Sequence, residues 1–255
     1  MSEAAWKTAI TDVSGGQIRV RGYDIADLME HLSFADAVYL ILKGELPTNQ
    51  QKRMMEAMLV SSLDHGPTPP SNLAARTVMS GGNPLNAAVA AGVMTIGDSH
   101  GGAIEQCARL LQEWAKKDGS PPDLARQLVA ELKEKGKRMP GYGHRLHKRD
   151  PRTVKLLEIA ERIGYRGRII ELAVAVQEEL EASSGKDLPL NVDGAIAAII
   201  SEMGFDWRLG KGFFIISRVP GLVAHVHEEW TREKPMRRLG PPEYQYDGPG
   251  PREIG

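Results

Sequence analysis

Apolar residues recur at three- and four-residue spacing along most of the chain, which predicts helix after helix from Asp24 onward. Ser33-Phe34-Ala35-Asp36 supplies an N-cap with an acid three residues on, and Gly44 supplies a stop. In Asn49 to Leu63 the apolar residues Met54, Met55, Met58 and Leu59 share a helical face. Ala103 to Lys117, Asp123 to Lys135 and Thr153 to Ile163 are amphipathic, each closed by glycine, and Arg168 to Ser183 and Val192 to Met203 follow. Leu85 to Ile96 is almost entirely small or apolar, which predicts a helix buried on all sides. Phe213 to Trp230 is a long apolar run broken by Pro220, which predicts a kink or two helices. Only the first twenty residues read as extended. There Trp6 to Asp12 and Gln17 to Arg21 flank Ser14-Gly15-Gly16, a hairpin turn. Gly66 to Pro70, Gly119 to Pro122 and Ser183 to Gly185 read as loops, and the Pro- and Gly-rich tail from Leu239 as an extended surface segment.

Composition narrows the function classes. A chain of 255 residues can bury a sizeable core as one large domain or two modest ones. A net charge of −1 gives no global field toward nucleic acid or an anionic membrane. The single cysteine, Cys107, cannot form an internal disulfide, which suits a reducing cytoplasm. Met1 to Trp6 lacks the pattern of a signal peptide, and apolar stretches such as Ala195 to Ile200 are too short to span a bilayer.

The candidate chemistry centres on Pro140-Gly141-Tyr142-Gly143-His144-Arg145-Leu146-His147-Lys148-Arg149-Asp150-Pro151-Arg152. Its glycines let backbone approach a ligand, His144 can move a proton near neutral pH, and Arg152 can fork onto a carboxylate. His65 and His100 also sit in glycine-rich breaks, where a loop histidine of no consequence is the bland alternative. Asp193 precedes an apolar helix, so it either caps that helix or is a partly desolvated base. Arg218 interrupts an apolar run and needs an anionic partner, either an internal acid or a ligand. Arg237 and Arg238 read equally well as a solvated basic patch. Together these groups suit a small, multiply anionic substrate in acid–base chemistry.

In order along the chain, several motifs resemble the citrate synthase family. They are Arg21-Gly22-Tyr23-Asp24-Ile25, Ser33-Phe34, Gly44-Glu45-Leu46-Pro47-Thr48, Ser99-His100-Gly101-Gly102-Ala103, His144 to Arg152, Asn191-Val192-Asp193, and Ser217-Arg218 followed by Ala224-His225. The resemblance implies an all-α protein with a short N-terminal hairpin. It implies a large domain from residues 1–100 and 205–255, a small one from 101–204, and a homodimer that closes on its ligand. It also implies roles. His100 would hydrogen-bond a thioester oxygen as an enolate forms. Asp193 would move the proton at the acetyl carbon, and His144 would serve as acid or base at the keto or alcohol oxygen. Arg152, Arg218 and His65 would bind the carboxylate-bearing part. Arg237 or Arg238 would reach across the dimer, and Lys148 would lie near CoA phosphate. A coenzyme A thioester enters as substrate, with no bound cofactor.

The chain is shorter than ordinary citrate synthases. Thr95-Ile96-Gly97-Asp98, Asp64-His65-Gly66-Pro67 and Asp193-Gly194 look more like the citryl-CoA lyase module of ATP-citrate lyase, and like short stand-alone citryl-CoA lyases. The expectation is therefore cleavage of citryl-CoA to acetyl-CoA and oxaloacetate. Citrate or 2-methylcitrate synthesis is the alternative, and an idle homologue acting as partner or sensor is the alternative of another class. There is no phosphate-binding loop of the Gly-x-x-x-x-Gly-Lys-[Ser/Thr] kind, so no ATP-driven step is expected. A zinc site lacks cysteines at ligand spacing, and the basic clusters lack interleaved aromatics for nucleic acid.

Overall fold

Helical periodicity becomes helix over most of the chain that this computed structural model describes, residues 6–143 and 150–237 with 248, 250 and 253. Three two-residue strands, β1 (Thr11–Asp12), β2 (Arg19–Val20) and β3 (Tyr23–Asp24), form one antiparallel sheet in that order. The expected hairpin is present with a third strand added. Arg21 ties the sheet to the helices, donating to Ile41 O at 2.7 and 3.1 Å and to Ala9 O at 3.1 Å.

The helices follow as α1 (Ile25–His31), α2 (Phe34–Lys43), α3 (Asn49–Ser61), α4 (Pro70–Ser80), α5 (Leu85–Met94) and α6 (Ala103–Ala115). Then come α7 (Pro121–Glu134), α8 (Pro151–Arg162), α9 (Arg168–Ser184), α10 (Val192–Glu202), a 3₁₀ turn (Trp207–Leu209) and α11 (Gly210–Arg232). Their ends follow the polar signals. Ser33 with Asp36 and Thr48 with Gln51 form reciprocal capping boxes, and Gly44 closes α2 in the left-handed conformation. α4 starts inside the stretch read as loop. Pro70 takes its first helical position, where the missing N–H costs nothing.

α10 forms the centre: Val192 and every residue from Gly194 to Ser201 are buried. α6 and α9 lie against it with Ile104, Leu111, Leu172 and Val176. The main core runs from Ala35 to Phe214, and a smaller cluster of Ala75, Met79, Ala88, Leu222 and Val226 joins α4, α5 and α11.

One expectation is corrected and another narrowed. α5 is not buried on all sides in the single chain. Only Ala88 and Gly92 are buried, while Met94 is 85% exposed. The reason is that the small residues seat α5 close on α4, where a Cβ at Gly92 would stand 2.9 Å from Ser71 O; the opposite face turns outward. Of the two outcomes expected at Pro220, separate helices are excluded, because α11 is one continuous helix through it. Burial of Phe213, Phe214, Leu222 and Val226 against α3 to α6 holds both halves in one element despite the lost backbone hydrogen bond. Among the described residues no helix is long and apolar enough to cross a membrane.

Candidate active site

Four chain breaks and one helix converge on a cavity of about 390 Å³. The α3–α4 connection contributes Ser62, His65 and Thr68, and the α5–α6 turn contributes His100. The starts of α8 and α10 contribute Asp150, Arg152, Asn191 and Asp193, and α11 contributes Phe214 and Arg218. His65, His100, Arg152, Asp193 and Arg218, far apart in sequence, thus share one wall. His144, Lys148 and Arg238 lie outside the described residues, as does most of the tail from Leu239.

Asp193 does not cap α10. Asn191 does, accepting from Asp193 N at 3.0 Å and Gly194 N at 3.2 Å, and this frees the Asp193 carboxyl to face the cavity. Burial pushes that carboxyl above the usual carboxylate range, with Asp150 adding to the rise and Arg152 and Arg218 opposing it. The glycine-rich run is pinned beside it. Asn191 N donates to Gly141 O at 3.0 Å, Gly143 N to Pro189 O at 2.7 Å, and Asn191 Nδ2 to Gly143 O at 2.9 Å. A Cβ at Gly194 would fall 2.4 Å from Gly141 O and 2.5 Å from Leu190 Cδ1, so only glycine admits this approach. Gly194→Ala is therefore expected to lower stability by about 1–3 kcal/mol through overpacking. A reduced thermal midpoint checks this, and an unchanged midpoint would contradict the close approach.

His100 Nε2 lies 2.9 Å from Ser71 Oγ, and the ring stands edge-on to Phe214 with centroids 5.6 Å apart. Burial, then the charge of Arg218, holds its pKa below the ordinary histidine value. The ring is thus neutral near pH 7, a hydrogen-bond donor rather than a strong acid. Ser71, fully buried on α4, was not singled out in the sequence, because nothing local marks one helical serine among others.

Arg218 is 2% exposed. Its Nε donates to Ser62 O at 3.0 Å, its guanidinium lies 4.7 Å from the Phe214 ring centre, and Nη1 has no hydrogen-bond partner. No carboxylate forms an ion pair with it among the described residues. Of the two partners the sequence left open, this favours a ligand anion. The Arg152 fork is already filled. Nε donates to Asp150 Oδ1 at 3.0 Å and Nη2 to Asp150 Oδ2 at 2.8 Å. Burial would raise the Asp150 carboxyl, but these bonds and the Arg152 charge outweigh it and hold it low. Arg237 does not line the cavity. It forks onto Glu229 of its own chain at 2.7 and 2.9 Å.

A second cavity, of about 880 Å³, opens beside Gly143. Lys133, Lys137, Arg138 and Lys186 line it together with Leu132, Met139 and Leu188. The sequence signal was the basic stretch from Lys133 to Arg138, which reads locally as a solvated helix end. Among the described residues, no three His, Cys, Asp or Glu side chains gather as a metal site.

The family described as "Citrate synthase, C-terminal domain" matches residues 1–61 and 48–239. The structure of citryl-CoA lyase from Hydrogenobacter thermophilus is 55% identical, covers 98% of each chain and superposes with a TM-score of 0.93. Citrate synthase from Thermoplasma acidophilum, in a ternary complex with carboxymethyl coenzyme A and oxaloacetate, is 26% identical with a TM-score of 0.71, over 87% of this chain and 58% of that one. ATP-citrate synthase beta chain protein 2 of Arabidopsis thaliana is 29% identical over 86% of this chain, which spans 36% of that protein's length.

Proposed function

The chain belongs to the citrate synthase family, and from that premise we propose that it cleaves citryl-CoA, or a close analogue, to acetyl-CoA and oxaloacetate. The observation that carries this reading is the cavity wall itself: a desolvated Asp193 carboxyl, a neutral His100 and an Arg218 that forms no ion pair among the described residues, all facing one space. Similarity to a citryl-CoA lyase over the whole chain supports the lyase direction.

His144 takes the proton of the tertiary hydroxyl, in the role the family assigns to its position. The bond between the hydroxyl-bearing carbon and the thioester methylene breaks, and its electron pair moves into the thioester as an enolate. The neutral His100 donates a hydrogen bond to the enolate oxygen, and Asp193, whose protonated form burial favours, delivers a proton to the methylene carbon. Oxaloacetate and acetyl-CoA leave. Arg218 and His65 hold the carboxylate-bearing half, and Arg152, its Nε and Nη2 turned to Asp150, adds its positive charge and its remaining Nη1 donors. The cations of the second cavity, together with Lys148, meet the CoA phosphates while Leu132, Met139 and Leu188 cover its apolar parts. No cofactor beyond the thioester is needed, and the unpaired Cys107 suits a cytoplasmic protein.

The reading is tested by supplying citryl-CoA and, separately, acetyl-CoA with oxaloacetate, while following free CoA. Acetyl-CoA and oxaloacetate from citryl-CoA with little free CoA is the expected result. Rapid CoA release with citrate formed would make the protein a synthase, and turnover of neither would make it an idle homologue.

The assembly is a homodimer. The outward face of α5, with Leu85 and Met94, is apolar surface that a second copy covers. Sedimentation at micromolar concentration should give twice the monomer mass, and a monomer would exclude it. Residues 101–204 form a small domain that closes onto the rest, because His100 and Arg218 stand on one side of that division and Asp193 on the other. Solution scattering should show contraction when oxaloacetate and a CoA analogue bind; superimposable curves would exclude closure.

A further inference from the structure

The connection that carries His65 is gripped from two helices. On α11, Arg218 Nε donates to Ser62 O at 3.0 Å. Three residues on, a Cβ at Gly221 would stand 2.4 Å from Leu63 O and 3.2 Å from Asp64 Oδ1, so the helix touches the connection there. Four residues further, on the same face, His225 Nε2 lies 3.1 Å from Asp64 Oδ1. On α4, the fully buried Asn72 donates through Nδ2 to Asp64 Oδ1 at 3.1 Å and to Gly66 O at 2.5 Å. Asp64 Oδ2 accepts from Gly66 N at 2.9 Å, closing a turn around His65 in which Gly66 takes φ +77°.

The tautomer of His225 follows from its other neighbour. Nδ1 faces Arg76 Nη1 at 3.4 Å. A guanidinium only donates, so Nδ1 accepts and the ring proton sits on Nε2, directed at Asp64. Arg76 is itself held by Glu228 at 3.1 Å and Glu229 at 2.8 Å, and Glu228 also lies 4.0 Å from His225 Nδ1. Burial would raise the Asp64 carboxyl, but its hydrogen bonds from Gly66, Asn72 and His65 outweigh this and hold it below the usual range. It is therefore a fixed anion behind a cavity residue rather than a proton donor. Neighbouring residues of α4 thus serve both histidines: Ser71 bonds His100, and Asn72 holds the turn that bears His65.

We infer that Asp64, clamped by His225 and Asn72, is a positioning residue that sets the His65 imidazole for the carboxylate-bearing half of the substrate. The inference rests on the proposed citryl-CoA chemistry for the identity of that substrate. It extends the site to His225, which does not line the catalytic cavity.

The test uses His225→Ala, His225→Gln and Asp64→Asn in the full chain. Loss of one charge-assisted hydrogen bond should raise KM for citryl-CoA about tenfold in His225→Ala and Asp64→Asn. The turnover number should change much less. His225→Gln, which keeps a donor, should recover most of the wild-type KM. A merely structural role would lower the thermal midpoint and the active fraction without moving KM. In parallel, the His65 ring resonances, assigned with His65→Gln, are followed by NMR without substrate, and should shift in Asp64→Asn. An unchanged KM in both disruptive variants, or equal loss in His225→Gln and His225→Ala, overturns the inference. If the wild type does not cleave citryl-CoA, the functional reading falls and the ring resonances decide alone. A shift then sustains the positioning role, and unchanged resonances overturn it.

Discussion

Asp193→Asn is expected to lower the citryl-CoA cleavage rate by about 10²–10⁴-fold, the usual worth of a placed general acid. The amide keeps the shape and can still donate a hydrogen bond, but it cannot deliver a proton to carbon. Burial already favours the neutral carboxyl, so the same substitution should leave the fold intact and hold or raise the thermal midpoint at neutral pH. The sign follows from the folded pKa being raised. The neutral form contributes its full stability below the unfolded pKa, and that contribution is lost as pH rises through the folded pKa. The amide does not lose it. Cleavage by the wild type should likewise fall as pH rises through that elevated pKa, because the acid is then spent as carboxylate. Single-turnover rates at saturating citryl-CoA across pH check both. Near-normal turnover in Asp193→Asn would remove it as the acid at carbon.

His100→Ala should cost about 10²–10³-fold in turnover number, the loss typical of one donor to a developing oxyanion. The ring is neutral, so the loss should be present throughout the neutral range rather than confined to one side of a histidine titration. Ser71→Ala should give a smaller loss of the same kind, since the ring keeps its edge contact with Phe214 but loses the hydroxyl that orients it. Equal turnover numbers for His100→Ala and the wild type would place the enolate oxygen elsewhere.

Much of the site was legible because its chemistry is carried by residue types that have few other uses in their settings. A histidine beside paired glycines, an arginine inside an apolar run and an acid ahead of an apolar helix each broke the local pattern. Where a side chain had a second local use, the sequence could not choose. Asp193 could have been a cap until Asn191 was seen to take that place. Arg152 could have been free until Asp150, two residues earlier, was seen to fill its fork. Ser71 carried no signal, and His225 read only as a helical packing or capping residue beside Ala224 in a family-like segment, since their partners lie 29 and 161 residues away.

By itself the sequence determined most of the helices, the Ser33 cap, several glycine stops and the order of the chemistry-bearing motifs. Periodicity, capping side chains and glycine stops act within a few residues and are written contiguously. The tertiary structure decided the rest. It kept α11 in one piece through Pro220, turned one face of α5 outward, and passed Gly194 against Gly141. These depend on which surfaces meet, and burial against a distant segment outweighs a local propensity of a few kcal/mol. For the same reason only the packed chain could set the charge state of Asp193 and His100, which depends on how much water the surrounding helices exclude.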